Sequence, residues 1–261
     1  MKIQFKIHYV TGWGQSLYLK LHTPNQGSTT ESEGFVMQCN KNLEWTIEIS
    51  LDSDVKSISY QYAILNSDKS FQYEYGNVRN ITLPISKNEF KVLDYWRTPN
   101  GESPFLTAAF TDCFFKRELV QATEVNKSKN LILRINCPQM EPNRHFAIVG
   151  NQDALGNWDV TKKVRLDESQ FPIWSIAFDA TKINFPLEYK YLVVDNDTDE
   201  VLAWGGGPNR IVQNAGKNVL TFVTDEHFIR TIPSWKTAGV AIPVFSLRSE
   251  DGFGIGEFND L

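Results

Sequence analysis

Ser59-Tyr60-Gln61-Tyr62 and Glu188-Tyr189-Lys190-Tyr191 lie 129 positions apart, and each sets two rings two residues apart. A period of two is the signature of a strand, because alternate side chains share one face. The same alternation runs outward from both tetrapeptides. In the first half it continues through Ile3, Phe5 and Ile7, through Leu17, Leu19 and Leu21, and through Ile47, Ile49 and Leu51. The second half repeats it in Leu131, Leu133 and Ile135, in Phe146 and Ile148, and in Ile176 and Phe178. Sliding one half over the other superposes Gly14 on Asn143, Leu17 on Phe146, Leu19 on Ile148 and Trp45 on Trp174. A two-residue insertion then brings Tyr73 onto Trp204, Gly76 onto Gly207, Arg79 onto Arg210 and Asp94 onto Asp225. Shared rare residues mark an internal repeat, and an indel between strands is ordinary loop drift. Helical periodicity is weak except over Ser103 to Glu118. The pattern therefore predicts an all-β chain of two immunoglobulin-like antiparallel β-sandwiches in tandem.

Bulk properties agree with two domains. At 261 residues, a prior of about 150 residues per domain gives roughly two cores. Hydrophobic residues at 41% and charged residues at 22% are ordinary for a globular chain. Aromatic residues at 13%, with seven Trp and nine Tyr, exceed what a core requires and suit a chain that displays rings to a ligand. A net charge of −5 with scattered basic residues argues against nucleic acid. No apolar stretch is long enough to span a bilayer, and the N-terminus lacks the layout of a signal peptide. Cys39, Cys113 and Cys137 are odd in number and widely spaced, with neither metal-ligand spacing nor a disulfide framework. The expectation is a cytoplasmic chain with no metal and no cofactor. Sequons at Asn80, Asn126 and Asn196 carry no weight without a secretory signal.

The rings that should meet a ligand are those in turns. Leu155-Gly156-Asn157-Trp158-Asp159 places a Trp in a Gly/Asn turn, where a large ring is hard to bury. Trp204 precedes Gly205-Gly206-Gly207-Pro208-Asn209-Arg210, whose glycines let a second ring stand clear. Lys190 and Asn209 add polar partners. Sugars present apolar C–H faces and a rim of hydroxyls, so their sites combine aromatic platforms with a few hydrogen-bonding groups. Trp45 and Trp174, on strands with alternating apolar neighbours, fit a core as readily as a platform. Tyr60, Tyr62, Tyr189 and Tyr191 fit a core better. Arg79 and Arg210 fit a structural contact as well as a functional one.

Taken together, G-N-Q-x-x-L-G-N-W-D, P-I-W, E-Y-K-Y and W-G-G-G-P-N-R, spread over residues 150–210, resemble the starch-binding modules of carbohydrate-binding family 20. That resemblance implies two α-glucan sites per module. In the second copy the first site would use Trp158 and Trp204 as stacking rings, with Lys190 and Asn209 as donors. The second site would use Trp174, although the loop from Met140 to Asn143 lacks the expected aromatic and Phe171 only partly replaces it. The first copy has no L-G-N-W segment and carries Gln61, Tyr73 and Val78 where the second has Lys190, Trp204 and Asn209, so its first site reads as lost. Its second site survives as Trp13 with Trp45.

The remaining chain completes the layout. Residues 1–98 form the first sandwich, 99–124 a packed apolar connector, and 125–230 the second sandwich. Residues 231–261 change character. Ala238 to Leu261 resemble the first strand and loop of the family 77 glycoside hydrolases, the 4-α-glucanotransferases built on a (β/α)₈ barrel. A barrel needs about 250 residues, so only a short fragment would lie here, and no catalytic residue is assigned. The glycines from Gly252 to Gly256 do not fit a phosphate-binding frame. The expected role is noncatalytic binding of α-glucan polysaccharide or maltooligosaccharide ahead of a glucanotransferase. The alternative is a protein-interaction or dimerisation module whose rings meet a partner rather than a sugar.

Overall fold

The structure, a computed structural model, describes residues 1–23, 31–99, 113, 128–138, 140, 141, 143–225, 228, 230 and 231. The helical stretch expected over Ser103 to Glu118, the connector and the barrel-like tail lie outside these residues, apart from single positions. Described elements are almost all strands, as the period-two pattern requires. The first copy contributes β1 (Lys2–His8), β2 (Ser16–Thr23), β3 (Glu31–Val36), β4 (Gln38–Cys39), β5 (Glu44–Ser50), β6 (Ser57–Leu65), β7 (Phe71–Tyr73), β8 (Arg79–Thr82) and β9 (Glu89–Tyr95). The second contributes β10 (Leu131–Asn136), β11 (Arg144–Gly150), β12 (Val164–Arg165), β13 (Asp167–Gln170), β14 (Ile173–Phe178), β15 (Leu187–Asp195), β16 (Val201–Gly205), β17 (Arg210–Val212), β18 (Leu220–Asp225) and β19 (Arg230–Thr231).

In the first copy, Ile3, Phe5 and Ile7 of β1 and Val92 of β9 share one buried core with Leu17, Leu19 and Leu21 of β2 and Tyr60 and Tyr62 of β6. The two strand groups belong to different sheets, so this is a sandwich core. Phe5 meets Tyr60 across it at 4.9 Å between ring centres. Each such side chain, wholly withdrawn from water, contributes about 1.5–3 kcal/mol to folding before entropy is counted. A buried polar network lies beside the apolar core. Tyr60 and Tyr62 donate their hydroxyls to Asp94 Oδ2 at 2.7 and 3.1 Å, and Arg79 pairs with Asp94 at 3.2 Å. Arg79 also forks onto Glu74 at 3.0 and 2.6 Å, and Arg97 reaches the same carboxylate at 3.1 Å. Burial alone would raise the Asp94 pKa, but Arg79, Arg134 and hydrogen bonds from Thr224 and Tyr60 overcome it and hold the carboxyl below its usual range.

The expectation of antiparallel sheets needs correction at one place. The sheet order β13-β14-β10-β18-β9-β1-β5-β4 runs four parallel strands through its centre, because β10 pairs with β18, β18 with β9, and β9 with β1, all in parallel. Each copy returns to its first strand only after completing its other strands, and a connection that long permits parallel pairing. At the join, Leu220, Thr221, Phe222 and Val223 lie opposite Phe90, Lys91, Val92 and Leu93. Two strands that would otherwise be sheet edges thus cover each other. Arg134 donates to Thr224 at 2.7 Å and lies 5.0 Å from the Phe222 ring, beside Asp94.

The described residues fall into two compact units. One holds the described strands of the first copy together with β10, β13, β14 and β18; the other holds β11, β12, β15 from Glu188 onward, and β16.

Candidate functional site

The second unit carries four of the expected site residues, Lys190 and Trp204 on one sheet, Trp158 and Asn209 in the segments beside it. In β15, Tyr189, Tyr191 and Val193 are buried on one face, while Glu188 and Lys190 sit half-buried on the other. Farther along that second face, Leu192 and Val194 cluster with Ala147 and Val149 of β11, and Val160 and Val201 pack against them. Trp204 stands opposite Leu192 in the β15–β16 ladder, so it projects from the same face as Lys190. The sequence suggests a loop for Trp204; it sits instead near the end of β16, and the glycine loop begins one residue later.

Trp158 ends a short 3₁₀ segment, Asp153–Trp158, which lies against β11. Its seat requires two glycines. A Cβ on Gly150 would come within 2.6 Å of Leu155 Cδ1 and 2.3 Å of the Glu188 carbonyl. Gly156 has φ of +75°, and a Cβ there would meet the Lys162 carbonyl at 2.8 Å. Asn157 and Trp158 follow at φ +50° and +64°. Asn tolerates the left-handed region, but a bulky ring does not, and each such residue costs about 1–3 kcal/mol. The strain is held by neighbours. Gln152 accepts backbone hydrogen bonds from Leu155 at 2.8 Å and Asn157 at 3.0 Å, Asn157 donates to the Asp153 carboxylate, and Asp159 receives Thr161 N at 2.9 Å. The Thr161 hydroxyl and then its amide pull the Asp159 pKa down. The result is a Trp held 37% exposed at a turn, matched by 37% exposure at Trp204.

Lys190 is a clamp in this structure. Its Nζ donates to the carbonyls of Gly207 at 2.9 Å and Gly205 at 3.4 Å, which fixes the loop that follows Trp204. Gly207 needs its φ of +76°, although nothing lies within 4 Å of where a Cβ would stand. Asn209 donates to Glu188 Oε2 at 3.3 Å. Glu188 was not singled out from sequence, although it lies two residues before Lys190 and so shares its face. Its backbone is registered by Asn151, with both bonds at 3.0 Å. Trp204, Lys190 and Glu188 thus share one side of the sheet, with Asn209 bonded to Glu188 and the Trp158 turn packed against β11. That composition can stack sugar rings and exchange hydrogen bonds with hydroxyls.

The other expected platforms fare differently. Trp174 is 0% exposed, donates Nε1 to the Cys137 carbonyl at 3.1 Å, and meets Phe171 edge-on at 6.2 Å. Trp45 is buried at 7% exposure and donates to the Tyr9 carbonyl at 3.0 Å. Both indoles have their polar edge satisfied inside and offer no face for stacking, so their assignment as platforms is corrected to core. Trp13 is fully exposed at the tip of a turn closed by Gly12 N donating to Gln15 Oε1 at 2.8 Å, with Gly14 at φ +73°. Among the described residues no group of three His, Cys, Asp or Glu could hold a metal ion.

The sequence profile of the starch-binding domain family matches residues 1–92 and 130–222. The chain belongs to the starch-binding domain family. It is also similar to the 4-alpha-glucanotransferase DPE2 of Oryza sativa subsp. japonica, at 30% identity over 279 residues covering 98% of this chain and 29% of that protein. It therefore spans less than a third of that relative's length. Among solved structures it resembles the family 20 module of a maltotetraose-forming amylase from Pseudomonas saccharophila STB07, at 28% identity over 36% of this chain and 97% of that one, with a TM-score of 0.29. It also resembles a glucoamylase from Hypocrea jecorina, at 22% identity over 38% and 18%, with a TM-score of 0.31. Membership of a starch-binding family favours α-glucan over a protein partner as what the displayed rings meet.

At the matching position of the first copy, the starch-binding fold keeps the clamp with different chemistry. Gln61 Nε2 donates to the carbonyls of Glu74 and Gly76, both at 3.3 Å, as Lys190 does to Gly205 and Gly207. Arg79 lies 5.5 Å from the Tyr62 ring centre, and Arg210 lies 5.5 Å from that of Tyr191. The two copies thus share this loop geometry, although Gln61, Tyr73 and Val78 stand where the second copy has Lys190, Trp204 and Asn209.

Proposed function

We propose that Trp158 and Trp204 are the stacking rings of an α-glucan site in the second of two tandem starch-binding sandwiches, with Lys190 and Asn209 supplying hydrogen bonds to sugar hydroxyls. One observation carries this reading: Trp158 is held at positive φ and half-exposed, with Trp204 on the face that Lys190 clamps. Backbone strain of this kind persists only where surrounding contacts over-determine it, and it concentrates at ligand sites. In the first copy, Trp13 serves as a displayed ring at the turn without help from Trp45.

The similarity to a glucanotransferase supports a further reading of the whole protein. The described strands would hold a cytoplasmic 4-α-glucanotransferase on its glucan, and the barrel that begins near Val240 would carry the chemistry. The site itself is noncatalytic. Titration with β-cyclodextrin or maltoheptaose tests the assignment. Each ring contributes on the order of 1 kcal/mol, so Trp158→Ala and Trp204→Ala should each weaken binding about fivefold. Parent-like binding by both variants sinks the site. Release of glucose from maltotriose by this chain alone sinks the noncatalytic reading.

A further inference from the structure

The outer face of the first copy's five-stranded sheet displays an aromatic stripe whose Tyr18 and Phe71 have aliphatic counterparts in the second copy. Along β2 the core side chains are Leu17, Leu19 and Leu21, so Ser16, Tyr18 and Lys20 face outward. Tyr18 lies opposite Ala63, and Ala63 opposite Tyr73, in one row across the sheet. Tyr18 and Phe71 rings are 4.8 Å apart, Phe71 and Tyr73 are 6.2 Å apart with planes only 31° from parallel, and Lys20 Nζ stands 5.9 Å from the Tyr73 ring. Gly34 clears the way: a Cβ there would lie 1.4 Å from the Tyr18 hydroxyl, so the ring is laid across β3. Phe71 and Tyr73 are each 43% exposed.

The second copy shows what this face replaces. By the repeat offsets, Tyr18, Lys20, Ala63 and Phe71 correspond to Ala147, Val149, Leu192 and Leu202. There the face is small and aliphatic, and Val160, just after the Trp158 turn, packs onto it. The first copy lacks the L-G-N-W segment, and its aliphatic positions are exchanged for rings. A loss of cover alone would leave a polar or aliphatic surface; three rings with a lysine and an amide are a different composition.

We propose that Tyr18, Phe71 and Tyr73 form an α-glucan platform on the first copy, with Lys20 and the free Gln61 carbonyl oxygen meeting hydroxyls along its edge. The inference rests on the α-glucan reading above. Tyr73 and Gln61 hold the places of Trp204 and Lys190, whereas Tyr18 and Phe71 stand where the second copy has Ala147 and Leu202. A neutral, hydroxylated ribbon fits this face because its three rings run in one exposed row, carry one charge beside them, and lie next to the Gln61 clamp that matches the one at Trp204. A protein partner would be served better by a broader apolar patch without a lysine against its rings.

The test uses the chain with Trp158→Ala and Trp204→Ala together, so that the second copy is silent, and maltoheptaose as the probe. With Trp13→Ala also in place, so that the turn ring is silent too, calorimetry should show one residual site, weakened about tenfold or more by adding Phe71→Ala and Tyr73→Ala. Two-dimensional NMR of the unsubstituted stripe should show maltoheptaose-induced shifts at the Tyr18, Phe71 and Tyr73 amides. Loss of all binding in the starting double variant, while the parent chain binds, overturns the platform and leaves the second-copy site standing. Residual binding that falls with Trp13→Ala and not with the stripe variant also overturns it. A parent chain that binds no maltoheptaose overturns the α-glucan reading itself. A dimer in sedimentation that the stripe variant breaks and maltoheptaose does not would reassign the face to self-association.

Discussion

The loop after β16 and the loop after β7 occupy matching places in the two copies, yet they are held by opposite means. The second copy's loop is polyglycine and is fixed from outside by Lys190. The first copy's loop begins at Glu74, whose side chain is fully buried and is gripped by Arg79 and Arg97 beneath the Gln61 amide. One loop is free of buried charge and can present Trp204 and Asn209 to a ligand. The other is tied into the core and presents Tyr73 from a stiffer base. Keeping a backbone shape while exchanging its supports lets one repeat change what it displays.

The largest effect that would break this comparison is on stability. Removing one member of a buried, hydrogen-bonded ion cluster leaves the others unpaired and typically costs about 3–5 kcal/mol. Glu74→Ala should therefore lower the unfolding free energy by about that amount, read as a lower denaturant midpoint at unchanged slope. Gly205, the matching position, has no carboxylate to lose. If Glu74→Ala unfolds at the parent midpoint, the buried cluster is not what holds the loop.

A second effect concerns pH and the join between the copies. Asp94 has a folded pKa below the value of about 3.9 expected for an unfolded chain. Its contribution is therefore fully present above that value and is lost as pH falls through the lower folded pKa. Thermal melts followed by circular dichroism should show stability declining in that acid window. Asp94→Asn should lower stability at neutral pH and flatten the decline. An unchanged acid slope in the variant would remove Asp94 from the account. Because Arg134 and Thr224 of the second copy also hold this carboxylate in its charged form, the parallel join should loosen in the same window.

These features divide by how much of them the chain order reveals. Tyr60 and Tyr62, Arg79 and Arg210, and Trp204 with Tyr73 were legible because rare side chains recur at a fixed offset. Trp158 was legible because Gly156 and Asn157 announce a left-handed turn. Trp174 and Trp45 were not, since an indole among alternating apolar neighbours reads alike whether its N–H finds water or the carbonyls of Cys137 and Tyr9. Strand direction was not legible either, because alternation is the same read both ways. The pairing of Phe90 through Leu93 with Leu220 through Val223 depends on two edges meeting, which no local signal encodes. Glu188 was visible two positions before Lys190, but only the Asn209 contact gives it a role.

The smallest expected effect sharpens the comparison most. Lys190→Gln and Gln61→Lys exchange the two clamps without changing which carbonyls they bridge. A neutral amide contributes about 1 kcal/mol per hydrogen bond and a charged donor somewhat more. The donors are partly exposed, so stability should move by about 0.5 kcal/mol or less in either variant. Affinity should respond unequally. At the second copy, Lys190 bonds the Gly205 and Gly207 carbonyls; if it also meets the ligand as proposed, Lys190→Gln should keep the loop and weaken maltoheptaose binding about threefold. At the first copy, Gln61→Lys adds a second ammonium near Lys20, and like charges on neighbouring strands repel. Calorimetry on each variant measures the difference. A large fall in melting temperature with Lys190→Gln would mean that the clamp is chiefly structural and that the ligand does not use it, whereas a fall in affinity at constant stability means that one side chain holds the loop and reads the sugar.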